Sequence, residues 1–255
     1  MNLRDNFSRG KSFFVEYYGL LFIFNFSGKG EEVFEKLRVF FKHFGVKQNR
    51  ISARNKKVFA ISVKSRTDFW KAIEKFIDCI ISSFEEDFAI FHASCVCSRN
   101  FSFVFLGKSG YGKSTSAKLM CDAGFDFITE DTLFLGRCGI IPFPKPIVLK
   151  SKRTWNIFLP ERVPKRPPKN IVFFFLKRKP ENYLDFKMKI KSIAENLKDV
   201  KNFEELESKV IELGFIRKIP KYKGVEMLLR SIYNAKKIEL SWVINKLSSA
   251  LFLEI

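Results

Sequence analysis

The sequence predicts an α/β fold, and three observations predict it. Short aromatic and β-branched runs bounded by turn residues recur along the chain; apolar stripes of helical period separate them; and one glycine-rich loop, Gly107–Ser114, lies between a run of the first kind and a segment of the second. The pattern divides into a small N-terminal α/β unit over residues 1–86, a core over 87–180 and a mainly helical C-terminal region over 181–255, packed on the core.

In the first segment, Ser12–Phe26 is aromatic and β-prone, broken by Gly19, and suits one or two strands. From Glu31 to Phe44 the residues Val33, Phe34, Leu37, Phe40, Phe41 and Phe44 fall on one helical face, and Gly45 closes that helix. Lys57–Val63 is a further strand. Thr67 or Asp68 then caps a helix with the stripe Phe69, Ile73, Phe76, Ile77, Ile80, Ile81 and Phe84. At this spacing the phenylalanines are core rather than a ligand box.

The middle segment is strand-rich. Phe88–Val96 and Phe101–Leu106 read as strands joined by a polar turn, and a helix over 113–123 follows the glycine loop. Phe125–Ile128, Leu133–Leu135 and Gly139–Ile141 continue as short strands. The alternating prolines of Pro142–Lys150 forbid regular helix and suit an extended edge. Residues 150–170, rich in Pro, Lys and Arg, read as a surface loop, and Ile171–Leu176 as a buried strand. The remainder, Ile190–Leu253, reads as mainly helical.

Composition narrows the class. At 255 residues and 46% hydrophobic, the chain can bury an ordinary core, and it has no uninterrupted apolar run long enough for a membrane span. The first residues lack the apolar stretch of a signal peptide, and five cysteines, an odd number, suggest no disulfide framework, so a cytoplasmic protein is expected. The formal net charge of +19 suits polyanion binding or a solvated Lys-rich surface. No zinc-finger, RNP-type or helix-turn-helix pattern accompanies it. Nucleic acid is therefore the weaker reading, and attraction of a nucleotide or acidic substrate is a middle one.

Gly107-Lys108-Ser109-Gly110-Tyr111-Gly112-Lys113-Ser114 matches G-x-x-x-x-G-K-[ST] throughout, with Thr115 next in line. Glycines let the backbone turn its N–H groups inward to make a concave anion site, and the following helix adds its free amides and positive dipole end. Lys113 can reach the β- and γ-phosphates of a nucleotide, and Ser114 offers a hydroxyl to Mg²⁺. The strand before and the helix after are what the mechanism requires. The expected ligands are ATP, with GTP as the alternative, and Mg²⁺.

A strand after that helix ends in Glu130-Asp131. Were it parallel to the strand before the loop, its end would emerge beside the phosphates, where paired acids can orient the metal or accept a proton. A solvated acidic turn is the alternative. His92 lies in the strand preceding that of the loop, as a catalytic candidate or a satisfied structural histidine. His43 carries no signal. Cys95 and Cys97 share one strand face and, with no second pair, suit core packing rather than zinc.

In order, FHASCV, FVFLGKSGYGKST, GFDFITEDT and PFPKPIVLK resemble the HPr kinase/phosphatase-like proteins, whose nucleotide core is related to that of ATP-dependent phosphoenolpyruvate carboxykinase. The resemblance covers about Phe88–Lys150. It implies a kinase that moves the γ-phosphoryl of ATP to a hydroxyl of a small molecule, peptide or protein serine. Lys113 would hold the β/γ-phosphates, Ser114 and Asp131 would place Mg²⁺, Glu130 would be the general base and His92 would steady the acid or the transferred group. A homo-oligomer is implied as well. The family's usual base is Asp where this chain has Glu130, and its Glu-Ile-Arg-Gly signature is absent, Gly136-Arg137-Cys138-Gly139 being a distant echo. HPr itself is thus not the expected acceptor. A nucleotide-dependent hydrolase or switch module, a nucleic-acid-associated ATPase and carboxykinase chemistry are the competing readings.

Overall fold

A computed structural model describes residues 11–47, 56–150 and 155–255. It is mixed α/β and forms two compact units, Met1–Phe84 and Glu85–Ile255.

In the first unit, β1 (Ser12–Tyr17) and β2 (Leu20–Phe26) form a hairpin. Its two-residue turn is Tyr18-Gly19, both with positive φ (45° and 81°), the geometry that matches strand twist. A 3₁₀ turn (Gly28–Val33), α1 (Phe34–Phe40) and a second 3₁₀ turn (Lys42–Phe44) lead to β3 (Val46–Lys47). Then come β4 (Lys57–Val63), parallel to β2, and α2 (Asp68–Phe84). The sheet order is β3-β1-β2-β4. The helix expected over 31–44 is therefore broken in three. Gly30 explains its start: its N–H donates to the carbonyls of Ser27 and Lys64, and a Cβ there would lie 2.1 Å from the Val63 oxygen. Most of the phenylalanine stripes is core: Phe34, Phe40, Phe41, Phe44 and Phe76 are buried and Phe69 and Phe84 half-buried, beside the strand residues Phe13 and Phe24, which stack at 4.8 Å. Asp68 closes the turn entering α2, accepting from the amides of Lys64 and Ser65.

The second unit begins with β5 (Ala89–Phe91), β6 (Ala93–Cys97), β7 (Phe101–Leu106) and α3 (Lys113–Asp122). β8 (Asp126–Thr129), β9 (Leu133–Gly136), β10 (Gly139–Ile141), β11 (Ile147–Lys150), β12 (Trp155–Phe158) and β13 (Asn170–Phe175) follow. α4 (Tyr183–Leu197), α5 (Phe203–Glu212), β14 (Arg217–Lys218), α6 (Lys221–Leu229), α7 (Leu240–Leu247) and β15 (Leu251–Glu254) complete it. The main sheet runs β14-β15-β13-β7-β6-β8, with β10-β9-β5 and β11-β12 as smaller sheets.

β7, β13 and β15 are parallel, β6 runs against them, and β8 runs against β6, hence in the direction of β7. Both faces of the sheet are covered, which is why β7 and β13 read as unbroken apolar runs. Phe103, Phe105 and Phe174 pack under Met120 of α3 and Ile193 of α4. Cys95, Val104 and Phe173 pack on the opposite side with Val243 and Leu247 of α7.

Three expectations need correction. The single strand over 88–96 is two, because the chain passes from the small β5 sheet to the main sheet at His92. The surface loop over 150–170 contains β12, antiparallel to β11. The region after 181 is not a helical appendage alone, since its last strand, β15, pairs with β13 of the core and carries β14 on its outer side. Among the described residues no helix is long and apolar enough to cross a membrane.

Candidate functional site

The strand directions bring four segments to one edge of the main sheet. Leu106, the last residue of β7, is level with Ala93, the first of β6, and with Phe175, the last of β13. The end of β8 reaches the same edge. His92, the loop from Gly107, the pair Glu130-Asp131 and Leu176 therefore all emerge there, the position at which α/β sheets hold ligands.

The loop makes a tight strand-to-helix connection. Gly110 and Gly112 have φ of 81° and 101°, which side-chain-bearing residues rarely adopt, and open space lies where a Gly110 Cβ would stand. The amide of Tyr111 donates to the Lys108 carbonyl, and that of Ser116 to Gly112 as α3 begins. Lys108, Ser109 and Gly110 are exposed; Tyr111, Gly112, Ser114 and Thr115 are half-buried. Lys113 is 5% exposed, and its ammonium donates to the carbonyls of Gly107 (2.8 Å) and Lys108 (3.2 Å). Burial lowers its pKa, against the nearby carboxylates.

At the mouth of this loop the acids join a chain of polar contacts. The Ser114 hydroxyl donates to Glu130 Oε1 at 2.7 Å. Lys145 Nζ lies 3.3 Å from Glu130 Oε2 and 3.1 Å from Asp131 Oδ2, and His92 Nδ1 lies 2.8 Å from Asp131 Oδ1. Asp131 has φ of 70°, unusual for a residue with a side chain, in a turn tied by Thr129 Oγ1 donating to the Thr132 carbonyl at 2.6 Å. The pair is thus not a solvated acidic turn: the Glu130 side chain is 9% exposed, although that of Asp131 is 40% exposed.

The two carboxylates are driven apart in acidity. Burial raises the Glu130 pKa, in spite of Lys145. The hydrogen bond from His92, with the charge of Lys145, holds Asp131 well below the usual carboxylate range. For Lys145, burial opposes the charge, but the two carboxylates outweigh it and its pKa is raised.

Lys145 is the residue that the sequence reading missed. The chain around it runs beside β8, with the Phe143 amide donating to the Ile128 carbonyl and a bridge between Thr129 and Phe143. Prolines 142, 144 and 146 keep that segment extended without a regular ladder. A lysine between two prolines, after a buried Phe143, was the available signal.

The expected metal pair of Ser114 and Asp131 is drawn differently, since Ser114 bonds Glu130 and Asp131 bonds His92. Hydroxyl and carboxylate oxygens together form a hard donor set that suits Mg²⁺, completed by phosphate and water oxygens. Cys95 and Cys97 are buried core residues, and among the described residues no group of three or more His, Cys, Asp or Glu is placed to hold a metal ion. No protein-family model and no curated protein matches the chain.

Proposed function

We propose that this chain is a magnesium-dependent phosphotransferase of the HPr kinase-like kind, moving the γ-phosphoryl group of ATP, with GTP as the alternative, to a hydroxyl on a small molecule, peptide or protein serine. The observation that carries the reading is the chain of contacts Ser114–Glu130–Lys145–Asp131–His92 at the mouth of the Gly107–Ser114 loop. A phosphate-binding loop alone serves many chemistries. A buried acid of raised pKa beside one held anionic divides the roles of proton acceptor and cation ligand.

In this reading the backbone amides of the loop and the Lys113 ammonium bind the triphosphate and oppose the negative charge that grows as the phosphoryl group moves. Ser114 and Asp131 are the residues that would hold Mg²⁺, which would supply positive charge to offset that of the phosphates. Glu130 accepts the proton of the acceptor hydroxyl as its oxygen bonds to the γ-phosphorus. The bond from that phosphorus to the β–γ bridging oxygen breaks, and its electron pair leaves with the nucleoside diphosphate. Lys145 and His92 position the two acids, and water is kept from the inner one by the burial of Glu130.

The test is mass spectrometry after incubation with ATP, Mg²⁺ and a pool of serine, peptides and cell extract. A phosphorylated acceptor that disappears with Lys113→Ala, and falls at least a hundredfold with Glu130→Ala, Asp131→Ala, is the expected result. Phosphate release with no phosphorylated acceptor would replace transfer by hydrolysis. Undiminished transfer in the double variant would remove the acids from the chemistry.

A further inference from the structure

The glycine loop has a neighbour on the side away from the acids. A Cβ built on Gly107 would come 2.9 Å from the carbonyl oxygen of Leu176, and one built on Gly112 2.5 Å from Cζ of Phe186. Leu176 follows β13, and Phe186 lies in the first turn of α4. Both also line a cleft of about 260 Å³, together with Arg178, Pro180, Asp185 and Lys189. The cleft therefore shares two of its walls with the residues packed against the loop.

Sheet order fixes which side this is. In β13-β7-β6-β8 the loop springs from β7, the cleft from the end of β13 next to it, and Glu130-Asp131 from the end of β8, two strands away on the other side. Cleft and acids thus stand about three strand spacings apart, roughly 14 Å. A nucleoside triphosphate is a polar chain with unlike ends. If its transferring phosphate lies toward the acids, its nucleoside leaves the loop toward β13.

The cleft has the chemistry for that end. Pro180 and Phe186 offer apolar surface to a base, while Arg178 and Lys189 can donate hydrogen bonds and Asp185 can accept them. Its volume is just below the roughly 300 Å³ at which whole-ligand pockets begin, as suits a site for part of a ligand. We propose that this cleft is the base-and-ribose subsite of the nucleotide, an inference that rests on the reading of Gly107–Ser114 as its triphosphate site.

The experiment irradiates the full chain with 8-azido-ATP and Mg²⁺, maps the labelled peptide by mass spectrometry, and measures ATP and tripolyphosphate binding by calorimetry. Labelling within 176–189 that excess ATP suppresses at least tenfold is expected. Asp185→Trp, which fills the exposed rim without touching the core, is expected to weaken ATP about tenfold and leave tripolyphosphate unchanged. Labelling elsewhere, or equal weakening of both ligands, overturns the subsite while Lys113-dependent tripolyphosphate binding keeps the loop reading intact. Absence of tripolyphosphate binding, or its survival in Lys113→Ala, overturns the loop reading and the subsite with it.

Discussion

Lys145 offers the sharpest test of the site, because a single charge is placed between two acids. Replacing it by Met keeps most of the side-chain volume and removes the ammonium. The Lys145 side chain is 14% exposed and that of Glu130 9%, so the charge left on Glu130 has little access to water. Breaking a buried pair from one side costs about 3–5 kcal/mol. Here Asp131, more exposed and still bonded to His92, takes part of the blow, and Glu130 keeps the Ser114 hydroxyl, so about 2–3 kcal/mol is expected. A ceiling follows from acid–base chemistry. Glu130 can always escape by taking a proton, which for an ordinary glutamate at pH 7 costs about 3.7 kcal/mol. That escape sets the sign of the pH dependence. A carboxyl whose folded pKa is raised holds more protons folded than unfolded, so its stabilisation is full at low pH and is lost as pH rises through the folded value. The deficit of Lys145→Met relative to wild type should thus be small at pH 5 and largest above neutrality. Urea denaturation read by amide exchange on peptides from 85–255 follows this unit alone; with a slope of about 1–3 kcal/mol/M the midpoint should fall by about 1 M at pH 7. Adding Glu130→Gln should restore most of the loss, since no buried charge is then stranded. A Lys145→Met protein within about 0.5 kcal/mol of wild type at pH 7, or one that Glu130→Gln does not rescue, would refute the bridging role.

Gly112→Ala should destabilise the protein by about 1–3 kcal/mol and weaken nucleotide binding more than tenfold, since φ of 101° is hostile to a side chain; Phe186→Ala in the same chain should recover only part, because it relieves the contact and not the backbone, and calorimetry checks both. Burial pushes the Cys97 and Cys121 thiols up to about 12. The unfolded chain therefore sheds those protons first, and stability should fall above about pH 8.5 by up to about 1.4 kcal/mol per pH unit for each thiol, a loss that Cys97→Ala, Cys121→Ala should flatten in urea titrations. Asn234, 5% exposed, accepts from the Ile90 amide (3.0 Å) and donates to the carbonyls of Glu85 and Phe88. Asn234→Ala should cost about 2–3 kcal/mol in the same assay while leaving tripolyphosphate affinity unchanged.

Legibility in the sequence followed the range of the forces involved. β7 and the start of α3 were readable to the residue, because an apolar run buried on both faces and a glycine-rich turn are each set by neighbouring residues. The break at His92 was not readable. Phe91 and Ala93 are both buried and strand-like, and what separates them is membership of two sheets, decided by pairing with Leu133 and Leu106. β15 was lost for a related reason: a four-residue apolar stretch after helical sequence has no period of its own, and it becomes a strand by pairing with Val172–Phe175. In the first unit, the entry to the helix that the phenylalanine stripe supports is a 3₁₀ turn, whose Gly30 lies so close to the backbone of Val63 that no side chain fits there.

The positive charge shows the same limit at the site. In the sequence the Lys and Arg residues suit polyanion binding or a solvated surface alike, since composition does not say which way a side chain points. Lys145 points inward, where it neutralises two acids that would otherwise repel each other. Arg178 and Lys189 line the cleft beside the loop. A net charge of +19 therefore has two separable parts, a few cations with fixed local partners or places and a larger field around them. The field acts on encounter rates and is screened by salt over about 8 Å at 0.15 M, whereas the Lys145 pairs, shielded from solvent, are screened far less. Raising salt should thus slow nucleotide association while leaving the Lys145→Met stability deficit nearly constant. A deficit that vanished with salt would place Lys145 among the solvated surface charges instead.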